Sequence, residues 1–268
     1  MEKFKNVDVV KFGTAVLTQK NGAIDLNLMA SVGSVIGRHQ SPLSVVSSGA
    51  VGFGKTMQDL SSIEPKLRRD RAYAAMGNRK LFTTWDEMIA EKHVWELLVT
   101  YAQIENGNRA EILERIQDAL ISNGIPMFNF NDAVSGEELK PDKTGSFGDN
   151  DHLATEVAGC ASEVADQVRL IICTAASGVQ EDLKDDQSTI AKLKTGELTE
   201  AEITRLCGEG SVGGTGGMDQ KLRYMRNLLD RNQIITEGWI INGKESQILA
   251  DILEGRTPDH GATQITVA

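Results

Sequence analysis

The chain has 268 residues, a length between that of one large domain and two small ones. Hydrophobic residues make up 40% of it, so a core of ordinary size can be buried. The formal net charge of −10 argues against binding to the phosphate backbone of nucleic acids or to an anionic membrane surface. An anionic substrate would therefore need a local cluster of cations that overcomes this field.

The cysteines and the apolar segments indicate in which cellular compartment the protein works. Cys160, Cys173 and Cys207 are odd in number and show no C-x-x-C spacing, which argues against a disulfide framework or a zinc site. The N-terminus lacks the apolar segment of a signal peptide, and no apolar run approaches the length of a membrane-spanning helix. We expect a cytoplasmic protein with reduced cysteines in its core. We assign no residue to a metal site, and whether the protein supplies metal ligands stays open.

The first predicted elements place small-residue loops at the ends of two strands. Hydrophobic patterning predicts strands at 7–12 and 43–47, with a helix at 25–38 between them. Lys11 stands at the end of the first strand, and a glycine-rich turn at 48–54 follows the second strand. Ligands of open α/β sheets bind at the carboxyl ends of strands, so both loops are candidate binding elements.

Strands and helices continue to alternate along the rest of the chain. Helices are predicted at 67–91, 110–121, 199–206, 218–229 and 245–253, and a further helix starts at the run 148–151 and carries apolar residues on one side as far as Val164. Strands are predicted at 95–101, 125–130, 168–173, 234–241 and 263–267. This alternation predicts an α/β fold with a mainly parallel central sheet. We interpret residues 1–268 as a single domain, with a lobe boundary near Asp166 that separates residues 1–165 from 166–268.

A loop of about fifteen residues follows Asp132, and loops of that length are usually functional lids or mobile segments. It ends in the run Asp149, Asn150 and Asp151, at the start of a predicted helix. One acidic residue at a helix start is explained by N-capping. Three carboxylate or amide groups in a row exceed what capping needs, so we favour a ligand-binding role and keep capping as the alternative.

The densest glycine cluster in the chain lies between Gly208 and Lys221, just before a predicted amphipathic helix. Glycines let a ligand approach the backbone, and a helix N-terminus offers free N–H groups and a partial positive charge. The stretch therefore predicts a phosphate site, at which Lys221 would add a mobile cation. It does not match the Walker A pattern, and a glycine-rich hinge is the alternative interpretation.

Two lysines and three glycine-containing loops together indicate phosphoryl transfer. Lys11 ends the first predicted strand, and Lys221 stands in the first turn of the late helix. Phosphoryl transfer depends mainly on positioning and on cations around the transferred group. Because no histidine stands beside a serine or cysteine in a recognisable triad motif, the sequence gives no support to nucleophilic catalysis of that kind.

Five ordered motifs resemble those of the glutamate 5-kinases of the amino acid kinase superfamily. They are VVKFGTAVLT at 9–18, VVSSGAVGFG at 45–54, NFNDAV at 129–134, FGDND at 147–151 and GGTGGMDQK at 213–221. With ING at 241–243 and GATQIT at 261–266, the resemblance covers nearly the whole chain. It implies a three-layer αβα sandwich that binds the amino acid on its N-terminal side and the nucleotide on its C-terminal side. Many bacterial members carry an additional C-terminal RNA-binding-like domain, which we do not expect here.

The resemblance also implies roles for individual residues. Lys11 and Lys221 would stabilise the transferring γ-phosphoryl group, and Asp149 would hold these two lysines in place. The implied substrate-binding residues are Ser48, Asp132 and Asn150. The implied nucleotide contacts are Lys11, Thr174, Ala175, Thr215, Gly216, Gly217, Met218, Asp219, Gln220 and Lys221. The implied substrates are L-glutamate and ATP with Mg²⁺, and the implied product is γ-glutamyl phosphate, formed in the first step towards proline.

The sequence departs from the family pattern at three places. After the central strand the family pattern is approximately T-D-x-D-G-L-Y, whereas this chain has Ala175 and Ser177 at the acidic positions. Phe130 replaces the glutamate of an N-E-N-D motif, and Ala15 replaces the serine of a K-x-G-T-S loop. The loss of the acidic pair leaves nucleotide affinity and nucleotide choice open.

Two alternatives to a glutamate kinase remain open at this point. One is a sister kinase that phosphorylates aspartate, acetylglutamate, carbamate or UMP, although the order of VSSGAVGFG and FGDND argues against it. The other is a pseudokinase that binds glutamate or proline as a sensor, which only the lost acidic pair supports. The resemblance further implies a homo-oligomer, either a dimer or a tetramer, and suggests proline as a feedback inhibitor.

Overall fold

A central sheet organises the fold. The computed structural model describes residues 3–105, 109–134, 150–185, 187–208 and 217–267. Within these residues the strands are β1 (Phe4–Phe12), β2 (Leu43–Ser47), β3 (Val94–Val99), β4 (Ile125–Phe130), β5 (Ala165–Thr174), β6 (Lys192–Lys194), β7 (Ile235–Asn242) and β8 (Ala262–Thr266). They form one eight-stranded sheet in the order β3-β4-β2-β1-β5-β7-β8-β6.

Neighbouring strands of this sheet are parallel, except for the antiparallel pair of β7 and β8. The prediction of an α/β fold with a mainly parallel sheet is therefore confirmed. β1 lies between β2 and β5, in a register that places Lys11 beside Val46 and Ile172. Because these strands are parallel, their last residues meet at one edge of the sheet, which we call the carboxyl edge.

Helices cover both faces of the sheet. In the described residues they are α1 (Thr14–Leu17), α2 (Leu26–Arg38), α3 (Ala50–Met57), α4 (Lys66–Ile89), α5 (Tyr101–Glu105), α6 (Arg109–Ile121), α7 (Asn150–Val164), α8 (Glu200–Cys207), α9 (Met218–Arg231) and α10 (Ser246–Leu253). Because strand residues alternate between faces, Val9 belongs to a core shared with α7 and α9, whereas Val10 belongs to a core shared with α2, α4 and α10. The result is the three-layer αβα sandwich that the resemblance implied.

Hydrophobic patterning located most elements to within a few residues. β2 and β4 have their predicted bounds, 43–47 and 125–130, because both strands are buried along their whole length. α2 begins directly after Asp25, whose carboxylate accepts a hydrogen bond from the Leu28 N–H as an N-cap. The pattern of buried residues thus carries over from sequence to structure where one face is clearly apolar.

The predicted glycine-rich turn at 48–54 is wrong for most of its length. α3 begins at Ala50, directly after Gly49, whose φ of 113° lies in the left-handed region that favours glycine. A Cβ on Gly54 would lie 2.1 Å from a carbonyl oxygen of α4, and a Cβ on Gly77 of α4 would lie 1.8 Å from the Ala50 carbonyl oxygen. These glycines therefore let α3 and α4 pack backbone against backbone.

Other features lie beyond what patterning detects. The sequence analysis missed β6, a three-residue strand that pairs with β8 and is too short to show periodicity. Most of the predicted loop after Asp132 lies outside the described residues. In the described part of the chain, no helix has both the length and the apolar character needed to cross a membrane.

Candidate active site

A cavity of about 650 Å³ opens at the carboxyl edge of the sheet. It lies between the loops after β1, β2, β4 and β5 and the first residues of α7 and α9. Residues that the sequence analysis assigned to a site from distant parts of the chain line this cavity together: Lys11, Ser48, Asp132, Asn150, Thr174, Ala175, Met218 and Lys221. The fold thus gathers these eight residues into one place.

Two buried lysines meet one carboxylate in this cavity. Lys11 Nζ lies 2.5 Å from Asp151 Oδ1, and Lys221 Nζ lies 2.8 Å from Asp151 Oδ2. The lysine side chains are 5% and 9% exposed, and the Asp151 side chain is 0% exposed. Because the lysines line the cavity and Asp151 lies behind them, the carboxylate holds both ammonium groups from the protein side. We call Lys11 and Lys221 the lysine pair.

Burial alone would raise the pKa of the Asp151 carboxyl, but the charges and hydrogen bonds of the lysine pair hold this pKa below its ordinary value. Asp151 is therefore ionised at neutral pH. Two ammonium groups and one carboxylate carry a formal charge of +1 in a chain whose net charge is −10. This local excess of positive charge suits an anionic ligand.

The sequence analysis gave the role of holding the lysines to Asp149, which lies outside the described residues. The structure places Asp151 in that role. The run on either side of Asn150 offered two carboxylates. Helical phase gives no signal for the choice, because buried residues of α7 lie in phase with both of them: Ala154 with Asp151, and Leu153 with Asp149.

A chain of buried amide and hydroxyl groups lies beside the lysine pair. Asn150 Nδ2 donates hydrogen bonds to Ser48 Oγ at 2.8 Å and to Asn129 Oδ1 at 3.2 Å. Asn129 Nδ2 in turn donates to Asn78 Oδ1 at 2.9 Å. Asp132, which follows β4, is also buried and lines the cavity. This part of the cavity is a fixed polar surface that fits a ligand with several charged or hydrogen-bonding groups.

The loop after β5 presents a different surface. Thr174 Oγ1 accepts a hydrogen bond from the Ala176 N–H and donates one to the Ala176 carbonyl, both at 3.0 Å, so the hydroxyl group stabilises the loop itself. Ala175 is exposed and offers only a methyl group and its backbone to the cavity. Met218, the first residue of α9, adds an apolar side chain. On this side the cavity wall therefore offers backbone groups and apolar side chains.

Other predicted nucleotide contacts lie outside the cavity lining. Gly217 is the N-cap of α9, and Gln220 follows in the first turn. The Asp219 carboxylate is buried and pairs with Arg223 Nη1 at 2.5 Å, so it faces its own helix. Thr215 and Gly216 lie outside the described residues.

A family comparison agrees with this geometry. The sequence pattern of the amino acid kinase family matches residues 6–242, a range that contains both lysines, Asp151 and the loop after β5. The chain belongs to the amino acid kinase family. It is therefore a phosphotransferase. Enzymes of this kind need cations around the group that they transfer.

Individual relatives give the same result. The chain of this amino acid kinase is 30% identical to the glutamate 5-kinase of Enterococcus faecalis over 263 residues, which cover 92% of this chain and 91% of the relative. It is 30% identical to the glutamate 5-kinase of Lactiplantibacillus plantarum over 255 residues, which cover 92% of both chains. The resemblance to the glutamate 5-kinases is therefore confirmed.

Solved structures support the fold of this amino acid kinase. Carbamate kinase from Giardia lamblia bound to AMP-PNP matches with a TM-score of 0.64 and 15% identity, over 100% of both chains. The product complex of T. acidophilum isopentenyl phosphate kinase matches with a TM-score of 0.60 and 14% identity, over 97% of this chain and 99% of the other. At these identities the matches show a shared fold.

The cavity is also lined by residues that the sequence analysis did not single out. Asn129 of β4 lines the cavity between the predicted positions. Lys55 of α3 and the ion pair of Lys66 and Asp70 in α4, with 2.6 Å between Nζ and Oδ2, line it as well. Their inward direction depends on how α4 packs on α3, and helical periodicity gives no signal for that packing.

The described residues contain no group of three or more histidine, cysteine, aspartate or glutamate side chains that could hold a metal ion. Both carboxylate oxygens of Asp151 contact the lysine pair. Mg²⁺ commonly binds through substrate phosphates with only one or two carboxylates from the protein. This donor set fits a Mg²⁺ ion that the nucleotide phosphates hold.

Proposed function

We propose that the chain transfers the γ-phosphoryl group of ATP to the γ-carboxylate of L-glutamate, which gives γ-glutamyl phosphate and ADP in the first step towards proline. The observation that carries this proposal is the lysine pair, held on Asp151 in a cavity that has a fixed polar surface on one side. The choice of glutamate as the substrate is supported by relatives named glutamate 5-kinase, which are 30% identical over about nine-tenths of the chain.

The reaction needs no general base from the protein. The side-chain carboxyl of glutamate has an ordinary pKa of about 4.3, so it is already ionised at neutral pH. One carboxylate oxygen attacks the γ-phosphorus and forms the new P–O bond, while the bond to the bridging oxygen breaks and its electron pair stays on ADP. The lysine pair would stabilise the charge that spreads over the transferring group.

Asp151 acts on the lysines rather than on the substrate. Each of its carboxylate oxygens contacts one ammonium group, so Lys11 and Lys221 are held at a fixed separation before any ligand binds. Such preorganisation means that no large rearrangement is needed during the reaction. Because the pKa of Asp151 is held below its ordinary value, this carboxylate keeps its charge throughout.

The amino acid would bind against the polar surface of Ser48, Asp132 and Asn150. Besides its reacting carboxylate, glutamate carries an α-ammonium and an α-carboxylate group. A buried aspartate suits the ammonium group, and hydroxyl and amide groups suit either one. This surface is rigid, since Asn150 is tied to two neighbours.

The nucleotide would bind along Thr174, Ala175 and Met218, with residues 215–221 extending the phosphate site. The first N–H groups of α9 and the Lys221 ammonium suit phosphate oxygens. When bound to these phosphates, Mg²⁺ would supply further positive charge for the transfer. Resemblance to the glutamate 5-kinases also supports a cytoplasmic location, a dimer or tetramer, and proline as a feedback inhibitor.

A sensor without catalytic activity is the second candidate. The observation that favours it is the loop after β5, where Ala175 and Ser177 occupy the acidic positions of the family pattern. A protein that had lost nucleotide affinity could still bind glutamate on the polar surface. The intact lysine pair on Asp151 favours catalysis over this alternative.

Trapping with hydroxylamine tests the proposal, because hydroxylamine converts an acyl phosphate into a hydroxamate, which forms a coloured complex with Fe³⁺. We expect ATP- and Mg²⁺-dependent hydroxamate with L-glutamate, and little with L-aspartate or N-acetylglutamate. ADP release measured with carbamate and UMP covers the acceptors that trapping misses. Faster turnover of another acceptor would identify a sister kinase, and glutamate binding without turnover of any acceptor would identify a sensor.

A further inference from the structure

Lys55 of α3 lines the same cavity as the lysine pair and the polar surface. We propose that the Lys55 ammonium group binds the α-carboxylate of the amino acid acceptor, and that it thereby makes the site specific for acceptors that carry this group. The inference rests on the proposed function, because it assumes that glutamate binds on the polar surface.

The proposed function leaves one charged group of glutamate without a charged partner. The γ-carboxylate reacts beside the lysine pair, and the α-ammonium group suits the buried carboxylate of Asp132. Ser48 and Asn150 are uncharged, so the polar surface offers no cation to the α-carboxylate. Because hydrogen bonds to a charged donor are stronger than those between neutral groups, a cation at this place would contribute to binding.

Lys55 is the cation that can take this role. Among the described residues that line the cavity, the positively charged side chains are those of the lysine pair, Lys66 and Lys55. Both members of the pair contact Asp151, and Lys66 Nζ lies 2.6 Å from Asp70 Oδ2. Lys55, by contrast, has no carboxylate partner in the described part of the chain. Its positive charge is therefore available to an anionic ligand.

The geometry of α3 directs Lys55 towards the polar surface. The helix begins at Ala50, two residues after Ser48. Val51 and Lys55 stand four residues apart, so they lie on one face of the helix, and both line the cavity. Because each Cα–Cβ bond of an α-helix is tilted towards the N-terminus, the Lys55 side chain starts in the direction of Ser48.

Contacts of α4 connect Lys55 with the segment that carries Asp132. Lys55 Nζ lies 5.9 Å from the centre of the Tyr73 ring of α4. Two residues earlier in that helix, Arg71 Nη2 donates a hydrogen bond of 2.5 Å to the carbonyl of Val134, which follows Asp132 closely. Lys55 thus belongs to the wall built by α3, α4 and the loop after β4. An ammonium group over an aromatic ring keeps its charge and can still donate to a carboxylate.

An acceptor analogue tests the proposal with the full-length protein and Lys55→Met, which keeps an apolar stem and removes the charge. The α-amide of L-glutamate keeps the γ-carboxylate and the ammonium group but has no α-carboxylate. We expect Lys55→Met to raise the KM for L-glutamate about tenfold, a small effect for a hydrogen bond to a charged group, because Lys55 is exposed to solvent. The KM for the α-amide, or its inhibition constant against glutamate, should change less than about twofold, because the α-amide lacks the group that Lys55 binds. The kcat with glutamate should stay near the wild-type value, because the lysine pair is untouched.

Two further variants separate recognition of the α-carboxylate from a general effect of charge. Lys55→Arg keeps a cation that can bind a carboxylate, so it should restore most of the preference for glutamate over its α-amide. Lys80→Met is the matched control, because Lys80 is an exposed lysine of α4 that does not line the cavity. It should leave the constants for both acceptors unchanged.

The results distinguish this inference from the proposed function. If the wild-type protein phosphorylates glutamate and Lys55→Met changes the constants for glutamate and its α-amide by the same factor, or changes neither, the role assigned to Lys55 is wrong. A wild-type protein that binds the α-amide as tightly as glutamate contradicts it as well. If the wild-type protein binds glutamate without phosphorylating it, the proposed function fails, and dissociation constants from calorimetry then test Lys55 with the same two compounds. A wild-type protein that binds no glutamate contradicts both.

Discussion

Two buried aspartates, lying towards opposite edges of the central sheet, each join two basic side chains. At the carboxyl edge Asp151 contacts the lysine pair. Towards the amino ends of the strands, Asp8 of β1 lies 2.7 Å from Arg169 Nε and 2.9 Å from His39 Nε2. In both cases burial alone would raise the pKa of the aspartate, and its basic partners hold this pKa below the ordinary value. Similar local chemistry thus occurs twice in one sheet.

The two clusters differ in what surrounds the basic groups. Arg169 Nη1 also donates to the Ile252 carbonyl at 2.8 Å, and Lys92 Nζ donates to the His39 carbonyl at 2.5 Å. The protein itself thus surrounds the cluster around Asp8. The lysine pair instead lines a cavity of about 650 Å³. A buried ion cluster serves binding only where a ligand can replace protein atoms as its outer partner.

The comparison separates stability from activity. Removing one member of a buried ion pair is costly because it leaves an uncompensated charge. We call Asp8, His39 and Arg169 the closed cluster. There we expect this cost to lower only the free energy of unfolding. We call Asp151 and the lysine pair the open cluster. There we expect the fold to tolerate the change better, since water and ligands can reach the remaining charge, and we expect phosphoryl transfer to be what is lost. The predictions below test this division.

The largest effect should come from the closed cluster. Asp8→Ala leaves Arg169 without its buried carboxylate, and we expect the free energy of unfolding to fall by about 3–5 kcal/mol. Urea unfolding followed by circular dichroism measures the change. Asp59→Ala, at an exposed aspartate, is the control and should change stability by less than about 0.5 kcal/mol. If the folded fraction of Asp8→Ala keeps the wild-type kcat, the division holds; a stability loss below about 1 kcal/mol contradicts it.

The cost of Asp8→Ala should also depend on pH in a defined direction. The pKa of Asp8 is lowered in the folded protein, so Asp8 binds a proton less readily there than in the unfolded chain, where the pKa is about 3.9. Its contribution is therefore complete above pH of about 4 to 5 and is lost as the pH falls through the folded-state pKa. The difference in unfolding free energy between wild type and Asp8→Ala should shrink below pH of about 4. A difference that grows on acidification would contradict the assigned cause.

The open cluster should control catalysis. Lys11→Ala or Lys221→Ala should lower kcat by roughly 10²–10³, or about 2.7–4 kcal/mol, if each lysine stabilises charge in the transition state. The KM for glutamate should change little. Steady-state ADP release measures both constants, and Lys5→Ala, at an exposed lysine of the same strand, is the control for Lys11→Ala. A variant that keeps a near wild-type kcat would remove its lysine from the catalytic set.

The polar surface should control substrate binding instead of the chemical step. Asn150→Ala and Asp132→Ala should raise the KM for glutamate by about 10- to 100-fold, the usual worth of hydrogen bonds to charged groups. The KM for ATP should change far less. Asn131→Ala is the control, because Asn131 is next to Asp132 but does not line the cavity. Equal changes in both KM values would mean that these residues hold the fold or the adjoining loop.

Part of the candidate site could be predicted from the sequence, whereas the cluster around Asp8 was not predicted. Lys11 lies at the end of β1 and Lys221 at the start of α9. Hydrophobic patterning and the neighbouring glycines indicate both places in the sequence. The contrast between a polar loop after β4 and the alanines after β5 was also visible. These features depend on local composition, which a single sequence reports directly.

The rest depends on how distant elements pack. Asp151 was missed, because its contacts with the lysine pair depend on how the start of α7 packs against β1 and α9. α3 was predicted as a turn, since its glycines are there for contact with α4 and not for bending. Asn78 lies in a helix of mixed polarity, and its hydrogen bond to Asn129 joins residues 51 positions apart. Side-chain partners at such separations leave no signal in local periodicity.

The smallest predicted effect concerns the loop after β5, where the sequence departs from the family pattern. Each hydrogen bond to a neutral group contributes about 0.5–1.5 kcal/mol, or roughly threefold to tenfold in affinity. Ala175 is exposed in the cavity and cannot form such a bond through its side chain. We therefore expect a high KM for ATP and weak discrimination between ATP and GTP, with chemistry intact because the lysine pair and Asp151 remain.

Restoring an acidic residue tests whether this loop limits nucleotide binding. Ala175→Asp should lower the KM for ATP about threefold to tenfold and leave the KM for glutamate unchanged, because the loop and the polar surface are separate walls of the cavity. Ala175→Asn, of equal size without the charge, shows whether hydrogen bonding or charge is responsible. Unchanged nucleotide constants in both variants would mean that backbone groups alone recognise the nucleotide. If calorimetry shows no ATP binding to the wild-type protein at millimolar concentrations with Mg²⁺ and glutamate, the open cluster binds no nucleotide, and the sensor function replaces the kinase.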